Sequence, residues 1–226
     1  MSNLRLLCVL ALVTVTGMGS RSLRVTRFSQ GLVAPVESSQ SGAPCGVHCG
    51  SERWVVKTLR DADASKVDAT PLLKTVHWLV SQDPPENRPE NNRVPPVELT
   101  TFAVEARLLG FKRETDRDFH IVIGDKVLRE TMIVEIPNPQ CKGVCASAAV
   151  GTMLQAGRDF VRHCGAATTN LKKLTKPLLV HVIGVGFFDF QHHQTGVAKN
   201  AIELHPVLKI DFPDDTDDCA RHLASP

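Results

Sequence analysis

Tyrosine is absent from the 226 residues, and aromatic residues make up only 5% of them. That scarcity argues against an extended stacking surface of the kind that holds sugars or single-stranded bases. An excess of one charge is lacking too. The formal net charge is +2, so composition gives no electrostatic case for nucleic acid or an anionic membrane as a partner. Only one apolar run stands near an end of the chain, Leu6 to Val15. It is shorter than the roughly 20 residues that a membrane-spanning helix needs, and no later segment could span.

What is present begins with that run. Met1-Ser-Asn-Leu-Arg5 precedes it, and the small or polar residues Thr16, Gly17, Gly19 and Ser20 follow, which is the order of a secretory signal peptide. Residues 1–20 are therefore expected to be removed on export, leaving a secreted or periplasmic protein without stable membrane insertion. A retained anchor is the alternative. Arg21, Arg24 and Arg27, following at once, argue against it.

Of seven cysteines, Cys8 leaves with the signal peptide, and Cys45, Cys49, Cys141, Cys145, Cys164 and Cys219 form an even set. In an oxidising compartment that set predicts disulfides, whose pairing the sequence does not choose. Zinc held by the two CxxxC pairs with His48 is the alternative.

Residues 21–53 carry serine, glycine, proline and glutamine without a lasting period and read as a flexible N-terminal arm. Residues 54–219 read as a single β-rich domain, and 220–226 as a C-terminal tail. Trp54 to Arg60 suggests a first β-rich run, and Lys74 to Val80 a strand or a helical turn. A proline- and asparagine-rich surface loop, 81–96, follows. Phe102, Val104, Ala106 and Leu108 recur at every second position, as do Phe119, Ile121 and Ile123, and Met132, Val134 and Ile136, the period of strands with one apolar face. Val150, Met153, Leu154, Gly157, Phe160, Val161 and Cys164 change to helical spacing. Leu178–Phe188 and Ile202–Ile210 supply the last strands. Five or six strands and one lateral helix predict a mainly β fold, a small OB-like barrel, closed or partly open. An α+β sandwich is the alternative, and pairing between the first and last strands discriminates the two.

Three groups of residues suit chemistry. Asp116, Asp118 and His120 stand two apart, which on a strand projects them from one face toward a divalent ion. Glu135 lies in an otherwise apolar strand, where a carboxylate asks for a cation or donors. Asp189, His192, Asn200, Glu203 and His205 crowd around one strand connection, and imidazole beside carboxylate suits proton transfer or ion binding near neutral pH. Gly184, Gly186 and Gly196 accompany them as sites of close approach or positive φ.

The segments Asp116-Arg-Asp-Phe-His120, Thr131-Met-Ile-Val-Glu135-Ile-Pro137, Gly184-Val-Gly-Phe-Phe-Asp189-Phe and Asn200-Ala-Ile-Glu-Leu-His205-Pro-Val resemble those of a group of bacterial secreted proteins of unassigned function. The resemblance covers about Trp54 to Phe212 and implies grouped polar positions without an activity. In strand order, and in Arg107-Leu-Leu-Gly followed by acidic residues, the chain is more weakly similar to staphylococcal-nuclease-like OB domains. That likeness implies carboxylates on a metal and an arginine on phosphate. The expectation is thus a secreted metal-dependent phosphodiesterase or nuclease-like hydrolase. Asp116, Asp118, Glu135, Asp189 and Glu203 would hold a divalent metal ion, His192 or His205 would act as base, and Arg107 would steady the phosphate of a phosphodiester or nucleic acid. An extracytoplasmic ligand-binding or disulfide-stabilised interaction module without catalysis is the alternative.

Overall fold

The computed structural model describes residues 47–50, 52–127, 129–192, 194–214 and 218–224; the expected signal peptide, most of the expected arm, Cys45 and His193 lie outside them. The elements are α1 (Trp54–Lys57), β1 (Asp68–Lys74), α2 (Val76–Val80), β2 (Thr100–Arg113), β3 (Phe119–Gly124), β4 (Thr131–Ile136), α3 (Val150–Cys164), β5 (Lys172–Phe188) and β6 (Ile202–Asp211).

The sheet runs β1-β2-β3-β4-β6-β5, with a further β2–β5 ladder. β2 pairs antiparallel with β5 along one edge. Its other edge takes β1 in parallel near Thr100–Val104 and then β3 in antiparallel fashion at Arg107–Arg113. β3 and β4 are antiparallel, β4 and β6 parallel, β5 and β6 antiparallel.

The OB-like closed barrel expected from the sequence is corrected by these pairings: the fold is a mixed β-sheet with a helix. The parallel β1–β2 and β4–β6 ladders among antiparallel ones make the sheet mixed, and β1 pairs with β2 alone, leaving it at an edge. The reason lies in the early segments. Trp54–Lys57, read as part of a β-rich run, is a helical turn, and of the strand or helical turn read at Lys74 to Val80 the structure has the turn, at Val76–Val80. Their β-branched valines favour strands only weakly against tertiary contacts. Thr75 caps α2 by accepting a hydrogen bond from the Trp78 amide at 3.0 Å, and α2 buries Val76, Leu79 and Val80 at helical spacing. The true first strand contains Pro71 and is exposed at all but its last position, a composition suited to an edge.

One face of the sheet carries the core: Phe102, Val104, Ala106 and Leu108 of β2 meet Ile121, Ile123, Met132, Val134 and Ile136. α3 lies over it through Ala156 and Phe160, whose ring packs edge-on against Phe111 at 5.1 Å and Phe119 at 5.5 Å. Gly165, at φ 72°, ends this helix, a conformation glycine adopts without a Cβ penalty. Two disulfides fasten the periphery: Cys49–Cys141 across 92 residues and Cys164–Cys219 across 55. Cys145 is disulfide-bonded as well.

Candidate metal centre

Strand periodicity that turns aliphatic residues toward the core turns their neighbours the other way. On that second face three strands align charged groups in a row. His120 is the register partner of Glu135. In the parallel ladder Ile133 faces Glu203 and Val134 faces Leu204, so the next step sets Glu135 beside His205. His120 Nδ1 lies 3.2 Å from Glu135 Oε1, and His205 Nδ1 lies 3.3 Å from Glu135 Oε2. Asp118, just ahead of β3, brings Oδ2 to 3.6 Å from His205 Nε2, and Glu203 Oε2 stands 4.0 Å from His205 Nδ1. All five side chains are buried.

Burial makes each polar atom need a partner. His120 has partners on both nitrogens: Nε2 donates to the Thr195 carbonyl at 3.0 Å, while Nδ1 faces Glu135 and, at 3.1 Å, Glu114 Oε1. Gly196, at φ 90°, packs this carbonyl-bearing loop directly on Val122, where a Cβ would have no room. Asp118 Oδ1 accepts from the Asn138 amide at 2.8 Å. By contrast Asp118 Oδ2, Glu203 Oε2 and both ring nitrogens of His205 form no hydrogen bond among the described residues.

The 3.3 Å from His205 Nδ1 to Glu135 Oε2 and the 3.6 Å from His205 Nε2 to Asp118 Oδ2 are each of the size found between neighbouring donors on an ion. Two ligands each about 2.1 Å from a tetrahedral zinc lie about 3.4 Å apart. Asp118, Glu135 and His205 can each offer one atom, all within 4.8 Å of one another. A given ion takes one ring nitrogen of His205, which frees the other to donate to a carboxylate, the usual way a ligating histidine is oriented. Two other trios have the same spacing, Glu114-His120-Glu135 and Glu52-Asp189-His192, but their atoms are already engaged. His192 Nε2 bonds Glu52 Oε2 at 2.9 Å, and Asp189 Oδ2 accepts from Lys57 Nζ at 3.2 Å.

Electrostatics agree with this division. Burial raises Asp118 and Glu203 well above ordinary carboxyl values, with neighbouring carboxylates adding to the effect. Burial also raises Glu135, against the opposing pull of His120. His205 is pushed well down by burial and by the positive charge of Lys57, so its imidazole is neutral and has a lone pair to give. For His120 burial acts downward, but the hydrogen bonds to Glu114 and Glu135 prevail and raise it to about 9. Glu114, bonded to His120, falls to about 2. Burial acts downward on Lys57 too, and the negative charge of Asp189, Glu135 and Glu203 overcomes it, holding its ammonium above the ordinary lysine value.

A polar cavity of about 230 Å³ leads to this row, lined by Glu52, Lys57, Glu114, Asp116, Glu135 and Asp189 among others. Its wall is held by Arg53, which is fully buried. The guanidinium donates to both oxygens of Glu98 at 2.7 and 2.8 Å and to the Phe188 carbonyl at 2.8 Å. Glu98 Oε1 also accepts from the Phe188 amide at 2.8 Å. α1, which carries Lys57, is thereby fixed to the end of β5, which carries Asp189. Gly186 lets β5 approach Val97 closely enough for this, since a Cβ there would stand 2.5 Å from the Val97 carbonyl oxygen. Asn200 anchors the start of β6 by donating to the carbonyls of Leu79 at 3.0 Å and Gln82 at 2.8 Å.

Of the residues singled out from the sequence, Asp118, His120, Glu135, Glu203 and His205 converge. Asp116 and Asp189 line the cavity, and His192 stands at the same cavity bonded to Glu52. Arg107 is paired with Gly124 at the opposite end of β3 from His120 and does not join them. Lys57 and Glu114 went unremarked in the sequence; a lysine directly after the apolar Trp54-Val-Val was the available signal for the first.

Among the described residues no helix is long and apolar enough to cross a membrane. No protein-family model, curated protein or solved structure gives a significant match to the chain, so its function is read from this geometry.

Proposed function

We propose that the chain is an extracytoplasmic, disulfide-stabilised binding module that holds one divalent cation between Asp118, Glu135 and His205. The observation that carries this is the set of buried, unpartnered atoms around His205, each of which burial penalises unless a ligand satisfies it. A donor set of two carboxylates and one imidazole suits zinc or manganese more than a soft, thiolate-seeking ion. Glu135 belongs both to the row and to the cavity wall, linking the centre to the opening. Location outside the cytoplasm is supported by the disulfides, which persist in oxidising compartments, together with the signal-like N-terminus.

Binding is favoured over phosphodiester hydrolysis by the charge of the cavity. Its wall is dominated by carboxylates, and Lys57 is already paired with Asp189. Arg107, expected to steady a phosphate, lies away from it. Protein stripped with chelator and titrated calorimetrically with zinc and with manganese should take up one ion per chain. Asp118→Asn and His205→Gln should each weaken the binding at least about tenfold, as loss of a ligand does. Absence of binding in the parent overturns the reading. Ion-dependent cleavage of a simple phosphodiester that requires His205 would favour the hydrolase instead.

A further inference from the structure

Lys57 is a buried lysine that the cation site does not use. It lies on α1 with its ammonium 3.2 Å from Asp189 Oδ2, and only 8% of the residue is exposed. An ordinary lysine would swing its charge into water. This one is confined, because the Arg53–Glu98 pair immediately before α1 is fully buried and ties that helix to Phe188.

The ammonium also stands 5.3 Å from the centroid of the Phe187 ring. The same ring meets His205 in edge contact, centroids 5.6 Å apart. Phe187 thus lies next to both the ammonium and the ligating imidazole, replacing water beside them with an apolar ring. Water is what would otherwise screen the charge on that side, so the field of Lys57 acts on His205 as well as on Glu135 and Glu203.

We infer that Lys57 is a tethered counter-cation of the acidic cavity: it supplies the positive charge that the buried carboxylates need when no ion is bound, and it competes electrostatically with an entering divalent ion. The inference rests on the cation-binding reading above and adds what regulates that site. It makes Lys57 a residue that sets affinity without touching the ion. A protein that keeps such a charge beside its centre holds its ion more loosely than the ligands alone would dictate, which suits reversible uptake and release.

The test compares parent, Lys57→Met and Lys57→Arg, each stripped with chelator and titrated with zinc under identical buffer and salt. Lys57→Met removes the charge and keeps the reach of the side chain, and it should tighten binding at least about tenfold. Lys57→Arg keeps the charge and should remain within about threefold of the parent. A purely structural lysine would give the opposite order, with Met weaker than the parent. Thermal unfolding run alongside identifies a variant that has lost the fold, in which case Lys57→Gln replaces Lys57→Met in the comparison. Parent protein that binds no zinc overturns the cation-binding reading itself. Parent protein that binds zinc, with an uncharged variant that binds no more tightly, overturns the role of Lys57 alone.

Discussion

His205 Nδ1 lies 3.3 Å from Glu135 Oε2, yet neither nitrogen of that fully buried ring forms a hydrogen bond among the described residues. Across the row, on the far side of Glu135, His120 has partners on both nitrogens. Two histidines, on the strands either side of β4, flank one carboxylate and differ in state: one is held as a cation, the other is left neutral with a lone pair.

The first expectation concerns Asp118→Asn. The amide keeps the acceptor that Asp118 Oδ1 presents to the Asn138 amide and removes a carboxyl that burial penalises. Without metal the variant should be as stable as the parent or up to about 2 kcal/mol more stable. Zinc should raise the melting temperature of the parent and leave the variant unmoved. Thermal unfolding with and without zinc, against a chelator blank, checks both halves.

The second is a pH dependence in chelator. His120 titrates at about 9 in the folded chain against 6.5 for the free side chain. Its stabilisation is complete below pH 6.5 and is lost as pH rises through 9, by about 3 kcal/mol at most. Asp118 and Glu203 act in the same direction, because the folded chain retains protons on them that the unfolded chain releases near pH 4. Glu114, lowered to about 2, acts only at the acid end, where its contribution is lost as pH falls from 4.5 toward 2. Denaturant unfolding at pH 6 and pH 9.5 should show the decline, and His120→Gln should show a smaller one.

The third separates structure from binding. Arg53→Met leaves Glu98 buried without its cation, a change that typically costs about 3–5 kcal/mol. The same size of loss in urea unfolding is expected for Arg93→Met, because Arg93 pairs with Asp61 at 2.8 Å and both are buried. Surface pairs such as Lys66 with Asp63 should matter far less, because solvent screens them.

A fourth follows from the disulfides. Cys49 lines the cavity and is bonded to Cys141 92 residues away. Opening so long a loop costs about 4.6 kcal/mol in the chain-entropy account. Cys49→Ser with Cys141→Ser should therefore lower stability and also weaken zinc binding. Cys164→Ser with Cys219→Ser, at the far end of α3, should lower stability with little effect on zinc. Calorimetric titration of the two double variants distinguishes them.

Much of the second face was legible in advance. Period-2 alternation placed Ile121 and Val134 inward, which forces His120 and Glu135 outward onto a common face, and Glu203 two residues from His205 had to share a side. Their convergence was not legible, since it depends on β4 and β6 pairing in parallel through only a short ladder, a long-range contact without a local signal. The segment Trp54–Lys57 misled because its valines favour strands, while the contacts that make it a helix come from Glu90 and Glu98 far along the chain. β1 was missed because an exposed edge strand containing Pro71 carries no hydrophobic period. Arg107 was placed by analogy with acidic residues that follow it in sequence, and register puts it at the wrong end of β3.

The central claim is that one ion sits among Asp118, Glu135 and His205. Crystals of the zinc-treated protein measured on both sides of the zinc absorption edge locate the metal directly. The account predicts one anomalous peak about 2.0–2.2 Å from an oxygen of Asp118, an oxygen of Glu135 and a nitrogen of His205. A protein without such a peak, or with zinc only at Glu52, Asp189 and His192, would contradict it.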